Sequence, residues 1–361
     1  MIETTAWIRL NLTEGLGIAK KLDLVRQLDS PEEIFSLRRE DIIRLGLKGD
    51  IADSLLDPNK QEQAQRIVER CGKLNIRVIS LSHSEYPEML RYIHDPPLVL
   101  YVKGTIPRGM GIGVVGSRKA SGYGMDTAYK LSSELCSEGC VVVSGMARGI
   151  DTAAHTGALS VGGKTIAVLG CGPDIPYPRE NSGLMDRIAS SGAVISEYPP
   201  GTEPANFHFP IRNRIISGIS LGVLVVEAGL KSGSLITAQT ALEQGREVFA
   251  VPGNINHYNS TGANMLIKEG AKLVLSAQDI LEEIPWCNIK LSGKSNEYLD
   301  KKKLTAEEAR IIRLLRYEDL YPEQIGNRTE IPLPDLYSIL FELELNGLIG
   351  KDITGKYRIC G

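Results

Sequence analysis

The sequence predicts a doubly wound, Rossmann-like α/β domain that lies between a helical N-terminal domain and a small C-terminal winged helix. Two observations predict its parallel sheet. Short, continuous runs rich in β-branched residues recur along the middle of the chain, and Gly-rich turns followed by helical segments separate them. Such runs are typical of strands that helices bury on both faces. The runs are IGVVG (112–116), CVVVSG (140–145), TIAVLG (165–170), AVISE (193–197), GVLVVE (222–227), EVFAVPG (247–253) and KLVL (272–275).

Length and composition indicate a multidomain protein without membrane contact. The chain has 361 residues, of which 42% are hydrophobic and 24% are charged, as expected for two or three soluble domains. No apolar stretch is long enough to span a membrane, and the N-terminus lacks a signal peptide's basic start and apolar core, so we expect a cytoplasmic protein. Six widely spaced cysteines favour reduced thiols. Because the net charge is −3, a nucleic-acid site would have to be a local basic patch.

The flanking segments complete the predicted domain plan. Residues 1–75 carry apolar residues at helical spacing, interrupted at Gly15-Leu16-Gly17. A helix, a glycine turn and a helix resemble a helix-hairpin-helix or SAM-like domain, and a plain helical packing domain is the equal alternative. Residues 76–285 form the α/β domain, and the polar residues 286–303 form a linker. Residues 304–361 predict two helices and a terminal β element, as in a winged helix.

The ends of the predicted strands carry unusual loops. In open α/β sheets, ligands bind outside the carboxyl ends of the strands. Glycine lets the backbone approach a ligand closely, and Ser or Thr at the start of a helix offers hydroxyl and N–H donors to an anion. Six such loops at one edge predict a binding site there. They span 116–118, 145–151, 170–178, 197–201, 227–234 and 252–254.

Two motifs and one residue pair resemble cofactor or metal sites but do not fit them. Residues 111–116 match G-x-G-x-x-G, but they contain their strand instead of following it. Residues 158–165 imitate a phosphate-binding Walker loop, but Ala158 replaces the first glycine and the segment precedes a strand. Asp151 and His155 have no further His or Cys cluster nearby, so we expect a capping Asp and a packed His. No cofactor and no metal are expected.

The segment NFHFPIRNRIISG (206–218) places arginines beside aromatic residues, as a site for phosphate and a stacked base would. Residues two apart on a helix diverge by about 200°, so Arg212 and Arg214 are not expected to meet one phosphate. One would face the ligand, and the other would pair with a carboxylate such as Glu197 or Glu227. Phe207, His208 or Phe209 could stack on a base. The alternative is that both phenylalanines belong to the core.

Together, these stretches resemble the DprA family (DNA processing protein A, also called Smf). The resemblance covers the α/β domain in order. It implies a protein that binds and protects incoming single-stranded DNA in natural transformation, loads the RecA recombinase onto it, dimerises through the α/β domain and has no catalytic turnover. The matching stretches are VGSR (115–118), VSGMARGIDTAAH (143–155), IAVLGCGPDIPYP (166–178), SEYPPG (196–201), FPIRNRIISGIS (209–220), VVEAGLKSGSLITA (225–238), GREVFAVPGN (245–254) and GANMLIKEGA (262–271).

The resemblance also implies individual contacts. Arg118 of VGSR would contact phosphate, and Phe209 would stack on a base. Some members have a lysine three residues before that phenylalanine; here the position is Asn206, so the positive charge must come from elsewhere. The expected DNA-binding residues are Gly116, Ser117, Arg118, Arg148, Gly149, Asn206, Phe209, Arg212, Asn213, Arg214, Lys231, Ser232, Gly233 and Ser234.

Two further expectations concern chemistry and assembly. The fold and residues 227–237 also resemble phosphoribohydrolases that cleave nucleoside monophosphates. Those enzymes carry their glutamate after a P-G-G-x-G-T loop, whereas Glu227 precedes the loop here. A homodimer is expected through apolar residues late in the α/β domain, unless all of them are core. These residues are Leu242, Leu266, Ile267, Leu273 and Leu275.

Overall fold

The computed structural model describes residues 2–28, 30–284, 305–315, 320–329, 331–345, 348–351 and 355–359. The chain divides into two compact units, Met1–Ile280 and Leu281–Gly361. The predicted linker, residues 286–303, lies outside the described residues. Among those residues, no helix is both long enough and apolar enough to cross a membrane.

Helices occupy the first part of the chain, as the apolar spacing predicts. Gly15 has a φ of +74° and forms the predicted turn between the first two helices. Their core is continuous with Leu98, Val99 and Tyr101 at the start of the sheet, so the helices pack directly against the α/β fold. The helices are α1 (Ile2–Asn11), α2 (Ile18–Leu28), α3 (Pro31–Ile34), α4 (Arg39–Arg44), α5 (Gly49–Leu56) and α6 (Pro58–Lys73).

A mixed sheet, nine-stranded within the described residues, follows with the order β1-β2-β6-β5-β4-β3-β7-β8-β9. The predicted runs form β3 to β9, which are all parallel. The predicted parallel sheet also has an antiparallel edge that the sequence did not indicate, where β1 pairs with β2, and β2 with β6. The strands are β1 (Arg77–Ser80), β2 (Val99–Gly104), β3 (Gly111–Val115), β4 (Val141–Ser144), β5 (Lys164–Leu169), β6 (Ala193–Ser196), β7 (Ser220–Val225), β8 (Glu247–Ala250) and β9 (Lys272–Leu273).

Helices cover both faces of this sheet, which explains the uninterrupted apolar strands. On one face, Val143 and Val168 pack with Ile215 and Ile216 in a shared core. The next residue along a strand points to the opposite face. Accordingly, Leu169 belongs to a second core cluster on the other side. The helices are α7 (Glu88–Arg91), α8 (Gly122–Ser137), α9 (Ile150–Ser160), α10 (Ser182–Ser191), α11 (His208–Ile219), α12 (Gly233–Glu243), α13 (Thr261–Lys268) and α14 (Ala277–Glu283).

The C-terminal unit has the order of a winged helix. Its described helices are Ala306–Leu315, Pro322–Thr329 and Leu333–Leu345, and Ile349–Lys351 pairs with Tyr357–Ile359 in an antiparallel hairpin. Leu320 bridges to Tyr357 and adds to this small sheet. The middle helix is absent from the sequence-based prediction, because its polar sequence PEQIGNRT contains a single large apolar residue, Ile325.

Candidate nucleic-acid interface

A cavity of about 550 Å³ lies at the carboxyl ends of β3 and β7. These two strands are neighbours, and the chain winds outward from them in opposite directions, so the cavity lies at the switch point where open α/β sheets bind ligands. We call it the switch-point cavity. Of the residues expected to bind DNA, eleven line it, namely Gly116, Ser117, Arg118, Asn206, Phe209, Arg212, Asn213, Lys231, Ser232, Gly233 and Ser234.

A second cavity, of about 1000 Å³, adjoins the first. We call it the Tyr177 cavity after the aromatic residue on its wall, and we call the two cavities together the groove. Arg148, another expected residue, lines this second cavity. The two cavities share a set of lining residues, Arg118, Lys119, Ala147, Phe209 and Arg212.

A cation and an aromatic ring meet where the cavities join. The Arg118 guanidinium carbon lies 5.1 Å from the centroid of the Phe209 ring, a distance typical of a cation–π contact. Gly170, at the end of β5, makes room for this ring, because a Cβ there would lie 2.9 Å from the Phe209 Cδ1 atom. Arg118 is exposed and Phe209 is half-buried, so both can reach a ligand.

The other two aromatic candidates of this segment are placed differently. Phe207 is 67% exposed, so the alternative that both phenylalanines are core is wrong, but Phe207 lines neither cavity. His208 is buried, stacks on Tyr198 at 3.9 Å and donates from Nδ1 to the Gly170 carbonyl at 3.0 Å. Phe209 is therefore the base-stacking candidate among the three.

The loop that carries Arg118 is held by its neighbours. The Ser117 N–H donates to the Glu227 carbonyl at 2.8 Å, and the Ile150 N–H donates to the Ser117 carbonyl at 3.2 Å. Gly149 has a φ of +73°, and a Cβ there would overlap the Ser117 carbonyl oxygen. Gly149 lines neither cavity, so its role is to let two strand-end loops approach closely. The expected direct contact of Gly149 with DNA stays a prediction.

Glu227 also organises this loop. It is buried, and its carboxylate accepts bonds from the Ser121 N–H at 2.9 Å and from the Ser121 hydroxyl. Ser121 is the N-cap of α8. These contacts show that the Glu227 carboxylate orients the donors of this loop.

The N-terminus of α12 faces the switch-point cavity. Ser232 is its N-cap and accepts a bond from the Ser234 N–H, and the two hydroxyls lie 2.7 Å apart. Lys231 precedes this cap and is exposed. The positive end of the helix dipole favours an anion at this position, and Lys231 adds a full charge.

Arg212 lies beneath the groove. Its side chain is buried, and Nη1 donates to the Gly145 carbonyl at 2.8 Å and to the Val168 carbonyl. Burial lowers the pKa of Arg212, and the nearby Asp151 carboxylate opposes that effect. Arg212 thus holds the ends of β4 and β5 together and also lines both cavities.

Asp151 and His155 do not form half a metal site. The Asp151 carboxylate accepts from the Gly145 and Ala147 N–H groups at 3.2 Å each. It therefore ties the preceding loop, and the expectation of a capping Asp is wrong, since the N-cap of α9 is Gly149. His155 is fully buried against Thr165, 2.7 Å away, as a packed histidine. Within the described part of the chain, no three His, Cys, Asp or Glu side chains are placed to hold a metal.

Arg214 points away from the groove. It donates to Glu197 at 2.7 Å and to Asp95 at 2.9 Å, and its side chain is 10% exposed. Burial lowers the pKa of Arg214, but the two carboxylates more than reverse that effect and raise it. The expected pairing of one arginine with Glu197 is confirmed. The expectation that Arg214 also contacts DNA stays a prediction, which its paired charge and its absence from the lining of both cavities do not favour.

Arg148 is exposed but already paired. It bonds the Glu180 carboxylate through Nη2 at 2.9 Å and also through Nε. Both side chains are more than half exposed, so a phosphate could compete for this guanidinium.

The sequence-based prediction missed several lining residues. Lys119 lines both cavities, Tyr177 lines the larger one, and Tyr258 and Asn259 line the smaller one. Lys119 directly follows VGSR, so its position in the sequence offered a signal. Tyr258 and Asn259 come from the loop after β8, where no motif marks them. The Asn259 side chain donates to the Lys119 carbonyl at 2.7 Å, which joins that distant loop to the site.

The switch-point cavity is a local basic patch on an acidic chain. Its lining carries Arg118, Lys119, Arg212 and Lys231, while its one lining carboxylate, Asp151, is buried and bonded to the backbone. A chain with a net charge of −3 thus concentrates positive charge where the strand ends meet, as a phosphate site requires.

Comparisons with known proteins identify a family for this chain. The family described as DNA recombination-mediator protein A matches residues 77–285, and the DprA winged helix domain matches residues 298–351. The DNA processing protein DprA of Bacillus subtilis is 42% identical over 272 residues, 74% of this chain and 89% of that protein. DprA of Streptococcus pneumoniae is 51% identical over 200 residues, 55% of this chain and 71% of that protein.

Solved structures give the same result. The X-ray structure of DNA processing protein A from Streptococcus pneumoniae has a TM-score of 0.66 at 39% identity, and the match covers 78% of this chain and 98% of that one. A structure that concerns the single-stranded DNA binding mode of the Helicobacter pylori protein has a TM-score of 0.52 at 30% identity, covering 57% and 94%. The predicted fold, with its α/β sheet and winged helix, is confirmed. The chain belongs to the DprA/Smf family of DNA processing proteins.

Proposed function

We propose that the groove binds single-stranded DNA, with phosphates in the switch-point cavity and a base on Phe209. The observation that carries the proposal is the meeting of Arg118 with the Phe209 ring where the two cavities join. Binders that ignore sequence combine a basic groove with aromatic side chains, because every base has a face that can stack. The study of single-stranded DNA binding by the related Helicobacter pylori protein supports this assignment.

The bound strand would then pass to a recombinase. We infer that the protein acts in the cytoplasm during DNA uptake, protects the incoming strand and loads RecA onto it. The family description, a recombination mediator, supports this role. In strand exchange with DNA coated by a single-strand binding protein, the parent should shorten the lag before RecA acts, and Arg118→Ala should do so less.

A homodimer would place two grooves on one strand and raise affinity through avidity. Support comes from apolar residues that one chain leaves uncovered. Leu242 is 53% exposed, Leu273 40% and Leu275 71%. These three leucines are therefore not core residues, contrary to the alternative that all five are. Leu266 and Ile267, by contrast, pack against the core.

Binding without turnover is the proposed activity. The alternative, cleavage of nucleoside monophosphates, would need a glutamate that reaches the sugar. Glu227 is 2% exposed and is bonded to Ser121, and it is not among the residues that line the groove. No observation therefore favours the enzyme. Incubation with nucleoside monophosphates should release no ribose 5-phosphate.

Two substitutions test the proposed site because they should fail in different ways. Arg118→Ala removes a phosphate contact, so the slope of log affinity against log salt should flatten by about 0.7 for single-stranded DNA. Phe209→Ala removes the ring on which a base stacks, so binding should lose about 1–3 kcal/mol of free energy with little change in the slope. The measurement is binding of oligothymidylate at several salt concentrations.

Matched controls exist on the same chain. Phe207→Ala removes an exposed phenylalanine that lines neither cavity, and Arg187→Ala removes an exposed arginine from α10, outside the groove. Both should bind like the parent. If Arg118→Ala and Phe209→Ala also bind like the parent with an unchanged slope, the proposed site is wrong.

A further inference from the structure

The two cavities of the groove differ in charge. Apart from the residues they share, the Tyr177 cavity is lined by two arginines and three carboxylates, namely Arg148, Arg179, Asp174, Glu180 and Glu203. Arg148 is paired with Glu180, as described above. This cavity therefore adds no excess of positive charge of its own, and nothing in it attracts a phosphate more strongly than the switch-point cavity does.

The Tyr177 cavity instead offers an aromatic surface. Tyr177 is 39% exposed, and its ring stacks on Phe209 with centroids 5.4 Å apart and planes inclined by 25°. Ile175, Pro176 and Pro178 extend the same wall with apolar atoms. A volume of about 1000 Å³ is within the range of small-molecule sites, so a nucleotide base fits.

The loop that carries Tyr177 is fixed in place. Asp174 accepts from Arg70 of α6 at 3.0 Å and from the Gly201 N–H at 2.8 Å. The Ile175 N–H donates to the Gly172 carbonyl at 3.0 Å. Because these contacts tie the loop to two other parts of the unit, the Tyr177 ring is held against the cavity before any ligand arrives.

We propose that the Tyr177 cavity is a second base-binding subsite, in which Tyr177 stacks on the base next to the one on Phe209. The inference rests on the proposed function, since it gives the same single strand a second aromatic contact. Successive bases commonly stack on successive aromatic side chains in proteins that bind single strands. The strand would thus keep its phosphates in the basic cavity and turn its bases toward Phe209 and Tyr177.

The test compares two ligands of equal length and charge. One is a short oligothymidylate, and the other is an oligomer of deoxyribose phosphates without bases. Tyr177→Ala should weaken oligothymidylate binding by about 5- to 150-fold, the range expected for one lost stack, and should leave binding of the baseless oligomer unchanged. Tyr177→Phe should bind both like the parent, and Tyr177→Leu, which keeps bulk without an aromatic face, should behave like Tyr177→Ala.

Controls separate this inference from the proposed function. Tyr92→Ala removes a tyrosine that is 71% exposed and lines neither cavity, and it should bind like the parent. If Phe209→Ala weakens binding but Tyr177→Ala does not, the second subsite is refuted and the proposed function stands. Equal losses for both ligands would also refute it, because Tyr177 would then support only the shape of the wall. A parent that binds neither ligand would overturn the proposed function itself.

Discussion

Arg214 of α11 should respond to substitution in the opposite way to Arg118. Arg214→Met replaces a guanidinium that is 10% exposed and bonded to Glu197, itself 14% exposed. Removing one partner of a buried pair leaves an uncompensated charge and costs about 3–5 kcal/mol. Asp95, the other partner, is 51% exposed, so water can replace its contact and it adds little to the cost.

That cost corresponds to a measurable fall in melting temperature. At about 2–4 °C per kcal/mol for domains of this order of size, Arg214→Met should melt roughly 6–20 °C below the parent. Its affinity for oligothymidylate, and the slope of log affinity against log salt, should match those of the parent at temperatures where both are folded. Thermal unfolding and salt-dependent binding on the same samples measure both quantities.

A second substitution sharpens the test. Arg214→Met combined with Glu197→Gln removes both charges, so the double variant should recover part of the lost stability. The reasoning would be refuted by an Arg214→Met protein that melts like the parent and shows a salt slope flatter by about 0.7. Arg214 would then be a phosphate contact and not a buried structural charge.

Three further predictions follow from the structure. Glu180→Gln frees Arg148, so the slope of log affinity against log salt should steepen by about 0.7. If Glu180→Gln steepens the slope equally in a protein that already carries Arg148→Ala, the effect does not come from Arg148 and the prediction is wrong. Burial lowers the pKa of Lys21 to about 8, so from there to about pH 10 the unfolded chain holds a proton that the native chain has lost. The free energy of unfolding of the parent should therefore rise with pH, relative to that of Lys21→Met, by about 1.4 kcal/mol per pH unit. If thermal unfolding shows the same pH dependence for both proteins, the prediction is wrong. In sedimentation the parent should be a dimer and Leu275→Glu a monomer. A parent that sediments as a monomer at micromolar concentration would contradict the proposed dimer.

The parallel part of the sheet was predictable because burial on both faces leaves a local signal. Strands β3 to β8 appear in the sequence as largely buried apolar runs, each followed within a few residues by a glycine. The short, exposed β9 is marked only by the apolar run KLVL. β1 is short and half of it is not fully buried, and the apolar run of β2 does not by itself indicate antiparallel pairing. Their antiparallel pairing, such as Arg77 opposite Val102, depends on contacts between distant segments. Short-range patterns do not encode such contacts.

The site residues at strand ends were predictable, because they also leave a local signal in the sequence. The site residues that depend on contacts between distant segments were not. Helical geometry alone indicated that Arg212 and Arg214 diverge. It could not indicate that Arg212 binds backbone carbonyls, since every residue carries one, or that Asp95 would join Glu197. Tyr177 was missed because its contact with Phe209 joins the loop after β5 to the first turn of α11, and no local sequence pattern indicates that these two segments meet.

The bonds between the strand-end loops have a consequence for the entropy of binding. Ser117 is bonded to Glu227, Asn259 to Lys119, and the Gly262 N–H to the Ala228 carbonyl at 2.7 Å. Folding therefore orders the protein side of the groove in advance, and the conformational freedom lost on binding belongs mainly to the flexible strand. A substitution such as Asn259→Ala, which loosens the Lys119 loop, would weaken binding by restoring disorder to the free protein.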